Sequence, residues 1–182
     1  MNTQRLTIMA EIAIMAALAY VLGMIKIFQM PQGGSISLIM LPIVIVALRR
    51  GLAAGLLTGL IVGELDHLIG GYVVHPIQFI LDYPLAYTSI GLVGLARSAN
   101  WLSGANQTVK IWLSLLMAVT VRFLCHFTSG VVWFGSYAPE GMSAAVYSFL
   151  YNLSYILPEY IITGIVLTLL VKKAPQLAHL SR

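Results

Sequence analysis

The feature that most constrains this chain is a succession of long apolar runs, nearly free of charge, separated by short polar or glycine-rich joints. The runs fall at about residues 6–28, 36–48, 52–69, 76–96, 109–134 and 142–171. A helix needs roughly 20 apolar residues to cross the hydrocarbon of a bilayer, and all but the second run are long enough. Backbone polar groups in hydrocarbon must be satisfied internally, which leaves helices as the fold for such runs. The expected fold class is therefore all-α: an integral membrane bundle of six transmembrane helices forming one domain over residues 1–182. Composition agrees, with 59% hydrophobic and 9% charged residues where a soluble domain carries roughly 25% charged. The second run is short and contains Pro42, so it is expected to kink or to continue back into the irregular stretch 29–35. Non-helical backbone at that depth is tolerated where protein or a watery cavity covers it. Residues 30–35, with Gly34 and Ser35, are accordingly predicted to form a site-lining loop.

Basic residues orient the runs. With the N-terminus inside, Arg5, Arg49, Arg50, Arg97, Lys110, Lys172, Lys173 and Arg182 fall on the cytoplasmic side, and only Lys26 falls outside. Both termini are then cytoplasmic and the chain is a multi-pass protein of the cell membrane. The net charge of +4 does not indicate nucleic acid, because the basic residues stand singly or in pairs and a phosphate backbone demands a stripe or patch. The single Cys125 excludes an intrachain disulfide. The first run contains Glu11 and exceeds a secretory signal core, so it reads as a retained helix. The longest polar connection, residues 97–108, is too short for a soluble domain. No G-x-x-x-x-G-K-[ST] loop is present, so work against a gradient would draw on an ion or a partner.

Two helix faces are stripped of side chains. Gly51, Gly55, Gly59 and Gly63 recur every four residues in the third run, a pattern that favours close packing inside the bundle. Ala13 and Ala17, with Ala10 beside them, form a second stripe in the first run, suited equally to internal packing or to a partner.

Placed on the oriented runs, the polar residues converge in the outer half. They include Glu64, Asp66 and His67 on the third run; Gln78, Asp82 and Tyr83 on the fourth; and Arg122, His126, Ser129 and Trp133 on the fifth. The sixth adds Tyr147, Tyr151, Asn152, Tyr155 and Glu159. Arg122, His126, Ser129 and Trp133 share one helix face, as do Ser148, Asn152, Tyr155 and Glu159. Ionisable groups at such depth usually face a bundle interior or a water-filled cavity. Carboxylates among aromatic rings suit a flat cationic ligand, and Asn152 and His126 add directional hydrogen bonds. Other readings are structural: Arg122 neutralising Glu159 or Asp82, Tyr137 in an interfacial belt, Glu140 solvated in a loop, and His75 and His179 without chemistry in loop and tail. A metal site at Glu64, Asp66 and His67 is disfavoured, because Glu-x-x-His occurs once where a bundle di-metal site needs it twice.

Several stretches resemble the thiamine-specific substrate-binding (S) component of bacterial energy-coupling factor (ECF) vitamin transporters. They are Ala10-Glu-Ile-Ala-Ile-Met-Ala-Ala-Leu-Ala19, Leu48-Arg-Arg-Gly-Leu-Ala-Ala-Gly-Leu56, Leu81-Asp-Tyr-Pro-Leu-Ala86, His126-Phe-Thr-Ser-Gly130 and Ala145-Val-Tyr-Ser-Phe-Leu-Tyr-Asn152. The resemblance follows the order of nearly the whole chain. It implies a non-catalytic, six-helix, high-affinity binder of extracellular thiamine, with no cofactor of its own. Such a binder docks through Ala13 and Ala17 onto a transmembrane coupling subunit driven by two ATPase subunits that use ATP. Ligand-contacting positions carried over are Asp82, Tyr83, His126, Tyr147 and Asn152, with Tyr72 nearby and Glu64, Gly34 and Ser35 as further candidates from the polar cluster and loop. Either Trp133 or Phe134 would stack on the ligand, and Asp82 would balance its charge or accept from its amine. The chain departs from some relatives in offering Gly33, Gly34, Ser35 and Ser37 where they carry a tryptophan and a glutamate. The alternatives are an S component for another heterocyclic vitamin, or a self-sufficient secondary transporter coupled to protons through Asp82, His126 or Glu159.

Overall fold

A computed structural model describes residues 3–97 and 104–177. His179, Arg182 and much of the 97–108 connection lie outside the described residues. The chain opens with α1 (Thr3–Met24) and turns back on itself in a small antiparallel ribbon, β1 (Phe28–Gln29) against β2 (Ser35–Ile36). The helices that follow are α2 (Met40–Arg50), α3 (Leu52–Gly70), α4 (Pro76–Arg97), α5 (Gln107–Trp133) and α6 (Ala144–Lys173). Among the described residues, α1, α4, α5 and α6 are the helices that combine the length and apolar composition needed to cross a membrane. Their exposed faces are apolar, as with Ile14, Leu18 and Val21 on α1 and Phe149, Leu157, Ile161 and Leu169 on α6.

The short second run becomes α2, whose 11 residues rise only about 16 Å, roughly half the hydrocarbon thickness. Every residue from Met40 to Leu48 is buried, so α2 is a central post enclosed by the longer helices. Pro42 sits in its first turn, where the backbone N–H has no intrahelical acceptor anyway, and no break is needed. Ahead of α2 the run continues into the ribbon, with Gly33 at φ 101° making the turn. The otherwise helical fold thus carries one two-stranded element, which an all-α expectation omits.

The glycine face of α3 is used inside the bundle. A methyl on Gly63 would stand 2.6 Å from the Tyr83 carbonyl oxygen, and one on Gly59 would collide with the Tyr87 carbonyl. Gly55 meets Ala47 of α2, while Gly91 and Gly94 return the close approach from α4 to α3. At the far end from the ribbon, Glu11 of α1 pairs with Arg49 at 3.1 Å and Arg50 at 2.5 Å. Arg97 donates to the Arg49 carbonyl at 2.7 Å. These contacts fasten α1 and α4 to the α2–α3 turn.

α4 is not a uniform helix. Its residues Leu81–Leu85 form a π-helical turn containing Pro84, and Gly91–Arg97 tightens to 3-10 geometry. Proline removes one helical donor and crowds the preceding turn, so a widened turn accommodates it. That turn carries Asp82 and Tyr83.

Gly59→Ala should lower stability by about 1–3 kcal/mol through overpacking, despite alanine's better helix propensity. Gly70→Ala, with nothing within 4 Å of the added carbon, should be near neutral; unfolding midpoints in detergent compare the two.

Candidate functional site

The ends of α1, α3 and α5 and the beginnings of α4 and α6 meet at the ribbon end of the bundle and enclose a cavity of about 510 Å³. Its wall includes Asp82, Tyr83, His126, Tyr147, Asn152, Tyr72, Gly34 and Ser35, so most candidates from separate helices share one space. The loop at residues 29–35 covers it: Gln29, Gln32, Gly33, Gly34 and Ser35 all line the cavity. Gly34 donates its backbone N–H to the Tyr151 hydroxyl at 3.3 Å. A methyl at Gly34 would strike the Tyr155 ring at 2.7 Å, which explains why the loop tip can lie on α6.

Asp82 stands at the centre of a hydrogen-bond cluster. One carboxylate oxygen accepts from Gln78 Nε2 at 2.7 Å and Ser129 Oγ at 2.7 Å; the other lies 3.0 Å from His126 Nδ1. Gln78 also holds the 71–75 connection through the Tyr72 carbonyl (3.2 Å) and the Val74 amide (3.0 Å). The Tyr83 hydroxyl accepts from the Tyr72 amide at 2.7 Å. His126 Nε2 is buried without a hydrogen-bond partner.

On α6, Asn152 donates to the Ser148 carbonyl at 2.8 Å and accepts from the Tyr155 hydroxyl at 2.8 Å. Ser148 reaches the Phe127 carbonyl at 2.8 Å. Gly130 allows that contact, because a methyl there would collide with the Ser148 hydroxyl. The His126-x-x-x-Gly130 spacing thus places an imidazole on the cavity and an α6 contact one turn later. Tyr147, Tyr151 and Tyr155 pack ring to ring along the wall.

At the inner end of the cavity Arg122, itself part of the wall, pairs with Glu159 at 2.6 Å, with the two side chains 4% and 1% exposed. Ser37 donates to the second Glu159 oxygen at 3.2 Å, and Arg122 lies 5.1 Å over the Tyr87 ring. Between the two carboxylates open to Arg122 on the sequence, Glu159 is the partner.

Two candidates are not on the wall. Glu64 is absent from it, whereas Asp66 lines the cavity and accepts from the Tyr87 hydroxyl at 2.9 Å. Two residues apart on a helix means opposite sides, and Asp66 follows Gly59 and Gly63 at i+7 and i+3, on the face packed against α4. That periodicity was the available signal for Asp66. Trp133 stacks on His75 at 5.1 Å at the rim. Phe134, the first residue past α5, leaves helical geometry and turns its ring to the cavity, 6.1 Å from Tyr72. Trp133 is the last residue of α5, and the ring that reaches the wall belongs to the residue after it. The sequence pattern also passed over Tyr20 and Tyr87, which line the cavity.

Among the described residues no group of three or more His, Cys, Asp or Glu side chains is placed to hold a metal ion. His67 packs edge-on against Phe79 and Tyr83, away from the Asp66–Tyr87 bond.

Arg122→Ala leaves Glu159 buried and uncompensated, so stability should fall by about 3–5 kcal/mol. Adding Glu159→Gln should recover part of that loss, read as the unfolding midpoint of the purified protein.

Comparison with known proteins fits the geometry. Residues 9–179 match the family model described as thiamine transporter protein. The chain is 40% identical over 184 residues to the thiamine transporter ThiT of Bacillus subtilis strain 168, covering 97% of this chain and 96% of the relative. It is 33% identical over 189 residues to the thiamine transporter ThiT of Lacticaseibacillus paracasei strain ATCC 334, covering 96% and 91% respectively. A solved structure of ThiT from Listeria monocytogenes superposes with a TM-score of 0.83 at 35% identity, covering 96% of this chain and 98% of that one.

Proposed function

This chain belongs to the thiamine transporter protein family, and from that membership we propose that its cavity binds extracellular thiamine with high affinity. It is a multi-pass bacterial membrane protein whose function is transport rather than catalysis. The observation that carries the thiamine reading is the cavity of about 510 Å³, walled by tyrosines and holding Asp66 and Asp82. Its size suits a small molecule, since ligand pockets typically span about 300–1,000 Å³. Its chemistry suits a flat cation, which carboxylates and aromatic faces attract together. Phe134 supplies the stacking face, and His126, Tyr147 and Asn152 orient the heterocycle. Tyr83 acts through Tyr72, whose backbone it holds.

On this reading the chain delivers thiamine as the substrate-binding subunit of an ATP-driven energy-coupling factor transporter. The whole chain is one transmembrane domain with six membrane helices, α2 and the ribbon together making up one layer, and both termini are cytoplasmic. The basic end formed by Arg49, Arg50 and Arg97 supports that orientation. A transmembrane coupling subunit docks on α1, the least buried of the long apolar helices. There Ala13 and Ala17 are exposed while Ala16 and Ala19 face the bundle, so a second helix can approach closely on the outer side. ATP is used by two partner ATPase subunits.

Titration of the purified protein with thiamine, followed by tryptophan fluorescence, should show saturable binding below micromolar concentration; its absence would overturn the reading. Liposomes holding this chain alone should not accumulate thiamine on a pH gradient. Accumulation there would replace the subunit reading with a self-sufficient secondary transporter.

A further inference from the structure

The end of the bundle opposite the cavity gathers more positive charge than it neutralises. Arg50 grips one oxygen of Glu11, from Nε at 2.6 Å and from Nη2 at 2.5 Å. Arg49 Nε stands 3.1 Å from the other oxygen but makes no aligned hydrogen bond to it. Arg97 donates from Nη1 to the Arg49 carbonyl at 2.7 Å, and a methyl on Gly51 would stand 3.7 Å from that same nitrogen. Three guanidiniums thus meet at the α2–α3 turn, and among the described residues Glu11 is the one carboxylate paired with them.

An apolar strip rises from this turn. α3 stands between two helices: Ala54 and Ile61 pack with Ile8, Ile12 and Met15 of α1, while Gly55 and Gly59 meet the backbone of α4. The side left over shows Ala53, Leu57 and Leu60 exposed, at the i, i+4, i+7 spacing of one helix face. Its foot, Ala53, follows two residues after Gly51, where the guanidiniums meet.

We infer that the foot of α3 binds an anionic phospholipid of the inner leaflet, with its phosphate on Arg49 and Arg97 and its acyl chains along Ala53, Leu57 and Leu60. Guanidiniums hold phosphate oxygens by charge-assisted hydrogen bonds, and basic clusters at the cytoplasmic ends of membrane helices attract anionic headgroups. A free phosphate would meet the guanidiniums and leave the apolar strip uncovered. A zwitterionic lipid would cover the strip and leave the surplus charge uncompensated. An anionic phospholipid satisfies both. This rests on the orientation given above only for the choice of leaflet, and it does not depend on what the cavity binds.

Purified protein is equilibrated in mixed micelles holding equal amounts of phosphatidylglycerol and phosphatidylcholine with the same acyl chains, and retained lipid is identified by native mass spectrometry. The wild type should retain phosphatidylglycerol in preference. Arg97→Gln should reduce that preference roughly fivefold, the effect of one arginine charge at a membrane surface, and Arg97→Lys should keep most of it. Arg49→Gln, which leaves Arg50 on Glu11, should lower it similarly and carries the test where Arg97→Gln does not fold by circular dichroism. Lys172→Gln combined with Lys173→Gln, exposed charges at the same end of the bundle, should leave the preference unchanged. Inorganic phosphate should not displace the lipid. Equal retention of the two lipids by the wild type, an unaltered preference in the arginine variants, or an equal loss in the lysine variant would each overturn the site. Displacement by inorganic phosphate would overturn the lipid as its occupant.

Discussion

The Arg122–Glu159 ion pair is the contact on which the cavity end of the bundle depends. It joins α5 to α6 at 2.6 Å with almost no solvent access. Glu159 also accepts from Ser37, at the entry to α2. Arg122 covers the Tyr87 ring of α4, and Tyr87 in turn reaches Asp66 of α3. Five helices are thereby tied to one pair of opposite charges. A buried pair of this kind is weak evidence for net stability, because desolvation offsets much of the attraction. Its consequence is specificity of arrangement: moving any one of these helices strands a charge in a place with no water to receive it.

Above that pair the bundle can be hollow because elsewhere it is packed with unusual closeness. The α3–α4 contact runs backbone to backbone through Gly55, Gly59, Gly63, Gly91 and Gly94. Dispersion and close approach, rather than hydrophobic expulsion from water, hold helices together in lipid. The dense seam brings Asp66, Tyr87 and Asp82 near one another, and the π-helical turn at Leu81–Leu85 sits where the seam opens into the cavity. The ribbon then closes the top, resting on Tyr151 and Tyr155 through Gly34.

Much of the site could be read from helical periodicity. His126 and Ser129 on α5, and Ser148, Asn152 and Tyr155 on α6, were placed on shared faces by spacing alone, and all line the cavity. Spacing works there because each helix is long and regular through those turns. At Trp133 the stripe reaches the last residue of α5, and the next residue turns inward. Charge alone does not separate Glu64 from Asp66; Asp66 lies on the glycine face of α3 and lines the cavity, and Glu64 does not. Tyr20 and Tyr87 carry no signal in a one-dimensional pattern, because an apolar helix with one tyrosine reads as a lipid-facing or interfacial span.

By itself the sequence determined that this chain lives in a bilayer, as a helical bundle with polar groups gathered toward one end. Those properties follow from local composition: apolar length sets the solvent, and scarce charges must find one another inside it. Only the tertiary structure decided that α2 is a buried post too short to cross alone, that Arg122 belongs to Glu159, and that Gln78, Ser129 and His126 gather on Asp82 while Tyr87 reaches Asp66. These are questions of which side chain meets which across helices far apart in the chain. No local pattern encodes such a meeting, because the depth and rotation of each helix are set by its neighbours.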